Sequence, residues 1–131
     1  MSKANLSKKS IISTLHSFQY PSHNYWLVTG AAMVMYGIRS STADIDLGCD
    51  RELAERLELD GYLFGYTDTG KRWFRIPRYR IEVFEDWLED TVTVVDGLPE
   101  ISIKGLLEMK KELGREKDLR DIERIEKWME K

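Results

Sequence analysis

Ala43-Asp44-Ile45-Asp46-Leu47 is the stretch on which the reading of this chain turns. In an extended strand successive side chains point to opposite faces, so Asp44 and Asp46 share one face while Ile45 and Leu47 take the other. Two carboxylates side by side repel, and the repulsion is relieved when both bind a hard divalent cation, which takes oxygen ligands ahead of nitrogen or sulfur. An ordinary strand with one face in water shows the same alternation. The residues around the stretch decide between the two.

Upstream, Tyr25 to Val28 is a short aromatic and β-branched run that predicts a strand ending in the turn Thr29-Gly30. Ala31 to Tyr36 follows as a helix with Gly37 as its C-terminal cap. Before these, Leu6, Ile11, Ile12, Leu15 and Phe18 fall at helical spacing, which predicts an amphipathic helix from about Asn5 to Phe18, stopped by Pro21. Downstream, Asp50 stands where an N-cap would start a helix carrying Leu53, Ala54 and Leu57, and Gly61 closes it. Tyr62 to Tyr66 and Lys71 to Ile76 read as a hairpin around Asp68-Thr69-Gly70. After Pro77, Tyr79 to Glu85 alternates again, with Ile81 and Val83 on one side and Arg80, Glu82 and Phe84 on the other. Val92 to Val95 predicts one more strand, before a loop Asp96-Gly97-Leu98-Pro99. Ser102 caps a helix running through Leu113, and beyond Gly114 a last helix is marked by Leu119, Ile122, Ile125 and Met129. The expected fold is therefore α/β (α+β): one domain over residues 1–131, with a mixed β-sheet flanked by helices and a C-terminal helical hairpin.

Composition agrees with one core. The chain has 131 residues, of which 42% are apolar and 33% charged, and a domain of this size buries roughly two-thirds of its unfolded surface. A net charge of -3 argues against a general nucleic-acid coat, though a local basic patch could still bind RNA or a phosphate. Cys49 is the single cysteine, which excludes an intrachain disulfide or a cysteine-based zinc site and fits a reducing cytoplasm. Met1 to Tyr20 carries Lys3, Lys8 and Lys9 but no continuous apolar run, and no segment approaches about 18 apolar residues, so neither signal peptide nor membrane span is expected.

Strand, glycine turn, short helix, Asp-x-Asp strand and a later strand with one more carboxylate form an ordered set. It is carried by Val28-Thr29-Gly30-Ala31-Ala32, by Gly37-Ile38-Arg39-Ser40-Ser41-Thr42-Ala43-Asp44-Ile45-Asp46-Leu47, and by Ile81-Glu82-Val83. The tail Leu107-Glu108-Met109-Lys110 and Gly114 to Ile122 completes it. In these pieces the chain resembles the polymerase-beta-like nucleotidyltransferase superfamily and its small bacterial members, among them antibiotic nucleotidyltransferases and abortive-infection-type toxins.

The resemblance implies a role for each piece. Asp44, Asp46 and Glu82 would be the catalytic carboxylates and would hold two Mg²⁺ (or Mn²⁺) ions for an in-line displacement on a nucleoside triphosphate. Thr29 and Gly30 would lie against the nucleotide phosphates, with Thr29 standing where the family usually has a first small glycine. Arg39, Ser41 and Thr42 would meet phosphate oxygens, and Lys110, with Lys111 as its rival, would supply a point charge to the triphosphate. Glu82 replaces a frequent aspartate, with Glu85 close by. The Arg115-Glu116-Lys117-Asp118 run with Asp121 reads as a solvated helix start.

The expected activity is transfer of a nucleoside monophosphate to a hydroxyl of an acceptor, either RNA such as tRNA or a small molecule. The alternative is a relative that acts as a binding module or as a toxin–antitoxin component with a protein partner. Lys71, Arg72, Arg75, Arg78 and Arg80, interleaved with Trp73, Phe74 and Tyr79, form the segment expected to hold an RNA end; as a plain hairpin, its aromatics would be core and its arginines solvated.

Overall fold

Ser7, not Asn5, opens the first helix in the computed structural model, which describes residues 5–131 and so leaves Lys3 outside them. The Ser7 hydroxyl accepts from the Ser10 N–H and caps α1 (Lys8–Phe18). The expected first turn is lost because Leu6 pairs its backbone with Thr42 instead, through hydrogen bonds of 2.7 and 3.0 Å. That bridge ties the chain start to the segment leading into the acidic strand.

The other elements follow in order: β1 (Tyr25–Val28), α2 (Thr29–Tyr36), β2 (Ile45–Cys49), α3 (Arg51–Leu59), β3 (Phe64–Tyr66), β4 (Arg72–Ile76), β5 (Ile81–Glu85), β6 (Val92–Val95), β7 (Leu98–Ile101), α4 (Ile103–Leu113) and α5 (Glu116–Met129). Asp50 caps α3 by accepting from the Leu53 N–H, and Ser102 caps α4 by accepting from Gly105. Among the described residues the strands form one mixed sheet in the order β3-β4-β5-β2-β1-β7-β6. The β1–β7 and β2–β5 pairs are parallel and the remaining neighbours antiparallel. This is the expected mixed α/β fold, with α4 and α5 as the C-terminal helical pair.

Three expected boundaries move. Asp44 lies in a bend ahead of β2 rather than in the strand. Leu98 and Pro99 belong to β7, because Asp96 and Gly97, with φ of 50° and 81°, close a two-residue hairpin by themselves. On α5 the buried positions are Asp118, Asp121 and Ile125, whereas Leu119 and Met129 point outward. The expected apolar stripe is thus rotated, for a reason found in the site below.

One face of the sheet is core. Leu27, Leu47, Val83 and Phe74 form a cross-strand row, with Ile45, Ile81 and Ile76 beside it, and all are 0–2% exposed. They join Ile11, Leu15 and Phe18 of α1 and Leu53, Ala54 and Leu57 of α3 in one hydrophobic cluster. Glu85 also faces this side and is held by Arg72, with Nη2 to Oε2 at 2.8 Å and Nε to Oε1 at 3.0 Å. Those hydrogen bonds lower its pKa to about 2 against the cost of burial.

Glu100 on β7 is fully buried, and among the described residues neither carboxyl oxygen has a hydrogen-bond partner. Desolvation by burial pushes its pKa up to about 8 from an ordinary 4.5. The folded state therefore binds this proton more tightly than the unfolded chain. Its contribution to stability is fullest below about pH 4.5 and is lost as pH rises toward about 8, at up to about 1.4 kcal/mol per pH unit. Denaturant unfolding at pH 5, 7 and 9 is expected to show this decline in the wild type and to lose most of it in Glu100→Gln. Equal declines in both proteins would contradict the assignment.

Candidate functional site

The opposite face of the sheet is built in two cross-strand rows. Val28, Asp46, Glu82 and Arg75 make the first, and Trp26, Gly48, Phe84 and Trp73 the second. Glu82 is thereby the direct cross-strand neighbour of Asp46, while Glu85, three residues on, lies on the buried face. Above this face lies a cavity of about 650 Å³. Thr29, Gly30, Thr42, Asp44, Asp46 and Glu82 line its sheet side, together with Phe84 and Trp87. Its other wall is cationic: Arg39, Lys110 from α4, and Arg115, Lys117, Arg120 and Arg124 around α5. An acidic chain has gathered six of its 20 basic side chains around one hollow, the charge distribution that attracts a polyanion.

The turn into α2 is tight. Thr29 takes φ 51°, a left-handed conformation that a β-branched residue adopts only under strain, and its hydroxyl donates to Asp46 Oδ2 at 2.7 Å. A glycine would adopt that backbone freely but would leave Asp46 without its donor. Gly30 is small for a steric reason: a Cβ there would stand 2.6 Å from Thr42 Oγ1 and 3.3 Å from Arg39 Nη1. Thr42 in turn donates to the Asp44 carbonyl at 3.3 Å, and Arg80 donates to the Ala43 carbonyl, which together shape the bend carrying Asp44. Ser41 is not on the cavity wall.

Asp46 carries an ionisation penalty. Its pKa is raised, first by desolvation and further by the charges of Glu82 and Asp44, while the Thr29 hydrogen bond and Lys110 pull the other way. Glu82 Oε1 accepts from Trp73 Nε1 at 3.1 Å and lies 3.7 Å from Arg75 Nε. Among the described residues no group of three or more His, Cys, Asp or Glu side chains is arranged to hold a metal ion. Asp44 and Asp46 offer hard oxygen donors, and the penalty on Asp46 is of the kind a cation removes. Glu82 would join them with its Oε1 already engaged by Trp73 and Arg75. The expected trio is thus a pair of aspartates in one hollow with a third carboxylate tethered alongside.

Lys110 is 4% exposed, and its ammonium lies 3.2 Å from Asp118 Oδ1 and 3.0 Å from Asp121 Oδ2. Lys111 is exposed and is not on the wall. The solvated helix start is therefore corrected: Asp118 is fully buried and Asp121 nearly so, because they receive the lysine of the neighbouring helix. This is also what rotates α5, since the pair of aspartates rather than Leu119 must face α4. Burial would raise the Asp118 pKa, but hydrogen bonds from the Arg115 side chain and backbone and from Lys110 outweigh it and bring it to about 2. Arg39 and Arg124 stand at 4.0 and 3.2 Å from Asp121. Lys117 and Arg120 have no ion-pair partner among the described residues.

Sequence reading missed Arg115, Lys117, Arg120 and Arg124 as wall residues. The spacing of Lys117, Arg120 and Arg124 was the available signal, since three and four residues apart means one helix face. The basic run at 71–80 is dispersed by the fold. Lys71 binds Asp86, Arg72 is held by Glu85 and Glu58, Arg75 lies over Trp73, and Arg78 over Tyr79. Phe74 is core. Compared with known proteins, the chain matches no family model, no curated protein and no solved structure.

Proposed function

We propose that this protein is a minimal nucleotidyltransferase, moving a nucleoside monophosphate from a nucleoside triphosphate to a hydroxyl of an acceptor. One observation carries the proposal: the cavity sets the carboxylates Asp44, Asp46 and Glu82 against a cationic wall from α4, α5 and Arg39. A triphosphate needs cations along its β- and γ-phosphates and a divalent ion shared with carboxylates, and few other ligands need both walls at once. Asp44 and Asp46 would hold Mg²⁺ or Mn²⁺, which when bound neutralises phosphate charge and polarises the reacting oxygens. Lys117 and Arg120, which line the cavity and have no ion pair among the described residues, would take the terminal phosphates.

In the transfer, the acceptor oxygen forms a bond to the α-phosphorus. The bond from that phosphorus to the bridging oxygen breaks, and pyrophosphate leaves with the electron pair along the cationic wall. The hydroxyl proton passes to Glu82 or to water. A reducing compartment such as the cytoplasm suits the lone thiol of Cys49, fully buried and with its pKa pushed up to about 12 by burial. Among the described residues no helix is long and apolar enough to cross a membrane.

A second reading rests on the Glu82 tether: the same fold could bind a nucleotide or a protein partner without transferring anything, as a toxin–antitoxin component would. Incubation with each labelled nucleoside triphosphate, Mg²⁺ and total cell RNA or a panel of small hydroxylated compounds separates the two. Covalent label on one acceptor fraction is the expected result. Bound nucleotide with no label transferred from any triphosphate would favour the binding module.

A further inference from the structure

The cavity wall carries two aromatic side chains, Phe84 and Trp87, for which phosphate chemistry has no use. Phe84 follows Glu82 by two residues and shares its face. Its ring is stacked on Trp73 at 6.0 Å and 8°, and packs against Trp87 in an edge-to-face pair at 4.9 Å and 65°. Phe84 and Trp87 are both on the cavity wall and only half-buried. The shelf is also anchored from behind. Trp26 Nε1 donates to the Trp87 carbonyl at 2.8 Å, and both lie over Gly48, where a Cβ would come within 2.0 Å of the Trp26 indole. A side chain at position 48 would displace the indole and the segment carrying Trp87.

Resting on the reading of the cavity given above, we propose that the Phe84–Trp87 shelf is a stacking subsite for a nucleobase. Half-buried aromatic rings on the cavity wall offer flat π-surface and few hydrogen-bonding groups, which suits a planar base whatever its identity. Phe84 shares its sheet face and the cavity wall with Asp46 and Glu82, so a base stacked there would lie beside the carboxylates. The base belongs either to the acceptor or to the triphosphate itself, and the two sources are separable.

Calorimetric titration of the full chain with Mg²⁺ present would use tripolyphosphate, ATP, and adenosine added to protein saturated with a non-transferable ATP analogue. Wild type would be compared with Phe84→Leu, which keeps apolar bulk against Trp73, and with Phe84→Tyr, which keeps the ring. Phe84→Leu is expected to weaken one base-bearing ligand roughly tenfold, near the lower end of what one base–aromatic stack contributes. It should leave tripolyphosphate unchanged, and Phe84→Tyr should retain wild-type affinity. If ATP is the ligand weakened, the base is its own; if adenosine on the analogue-loaded protein is weakened, the base is the acceptor's. Affinities of ATP and adenosine independent of Phe84, or an equal loss for tripolyphosphate, would overturn the proposal. Failure of tripolyphosphate to bind wild type, with adenosine still bound through Phe84, would instead remove the triphosphate reading and leave the shelf.

Discussion

Lys110→Met is expected to cost roughly 3–5 kcal/mol of folding stability, the range found when one partner of a buried ion pair is removed. Among the described residues Lys110 is the one buried cation that reaches Asp118 and Asp121; the arginines that also reach them, Arg39, Arg115 and Arg124, are a third to a half exposed. The methionine fills similar volume, so the loss is electrostatic rather than a cavity. The pH dependence identifies it. The Asp118 pKa is depressed to about 2 in the folded protein, so its contribution is present above the ordinary carboxylate range near 3.8 and is lost as pH falls through about 2. The gap between wild type and Lys110→Met should therefore be widest near neutrality and should narrow below about pH 4. A pH-independent gap in denaturant unfolding would mean that Lys110 acts by packing alone.

The same lysine marks where sequence reading stops. Strands and caps were legible because their signals are local: period-two alternation in Ile45 to Leu47 and Ile81 to Glu85, cap residues at Asp50 and Ser102, and glycine at Gly37, whereas Thr29 and Gly30, expected as a turn, open α2. Glu82, rather than Glu85, stands beside Asp46 for that reason too, since alternation sets the face and the parallel β2–β5 pairing sets the row. The burial of Asp118 and Asp121 was not legible. Charged residues at a helix start normally meet water, and only the packing of α5 on α4 supplies the ammonium that reverses this. Glu100 was missed similarly: with Leu98-Pro99 read as loop, nothing in the local pattern put a carboxyl between β1 and β6. Asp44 misled in the other direction, because alternation ran one residue further than the strand.

Asp46→Asn carries the other large effect. The proposed transfer needs a full negative charge at the second position of the Asp-x-Asp pair, and an amide supplies one neutral oxygen in its place. If a divalent ion contributes several kcal/mol to the transition state, transfer should fall by about three orders of magnitude or more, since each 1.36 kcal/mol is tenfold. The fold should not suffer. The amide of the variant still offers an oxygen to the Thr29 hydroxyl, and the raised pKa of Asp46 means that its ionised form is held at a cost in the free protein. That cost grows as pH rises above the ordinary carboxylate value, so at pH 7 the ligand-free variant is expected to match or slightly exceed wild type in stability. Loss of activity together with equal or greater stability separates a site role from a structural one.

The most direct test is the melting temperature of wild type and Asp46→Asn with Mg²⁺ and each nucleoside triphosphate in turn. A ligand that binds only the folded state at 100 times its dissociation constant adds about 2.7 kcal/mol. Wild type should therefore rise by several degrees with at least one triphosphate, only when the divalent ion is present, and Asp46→Asn should lose that increment. No shift in wild type with any triphosphate at millimolar concentration and Mg²⁺ would contradict the account.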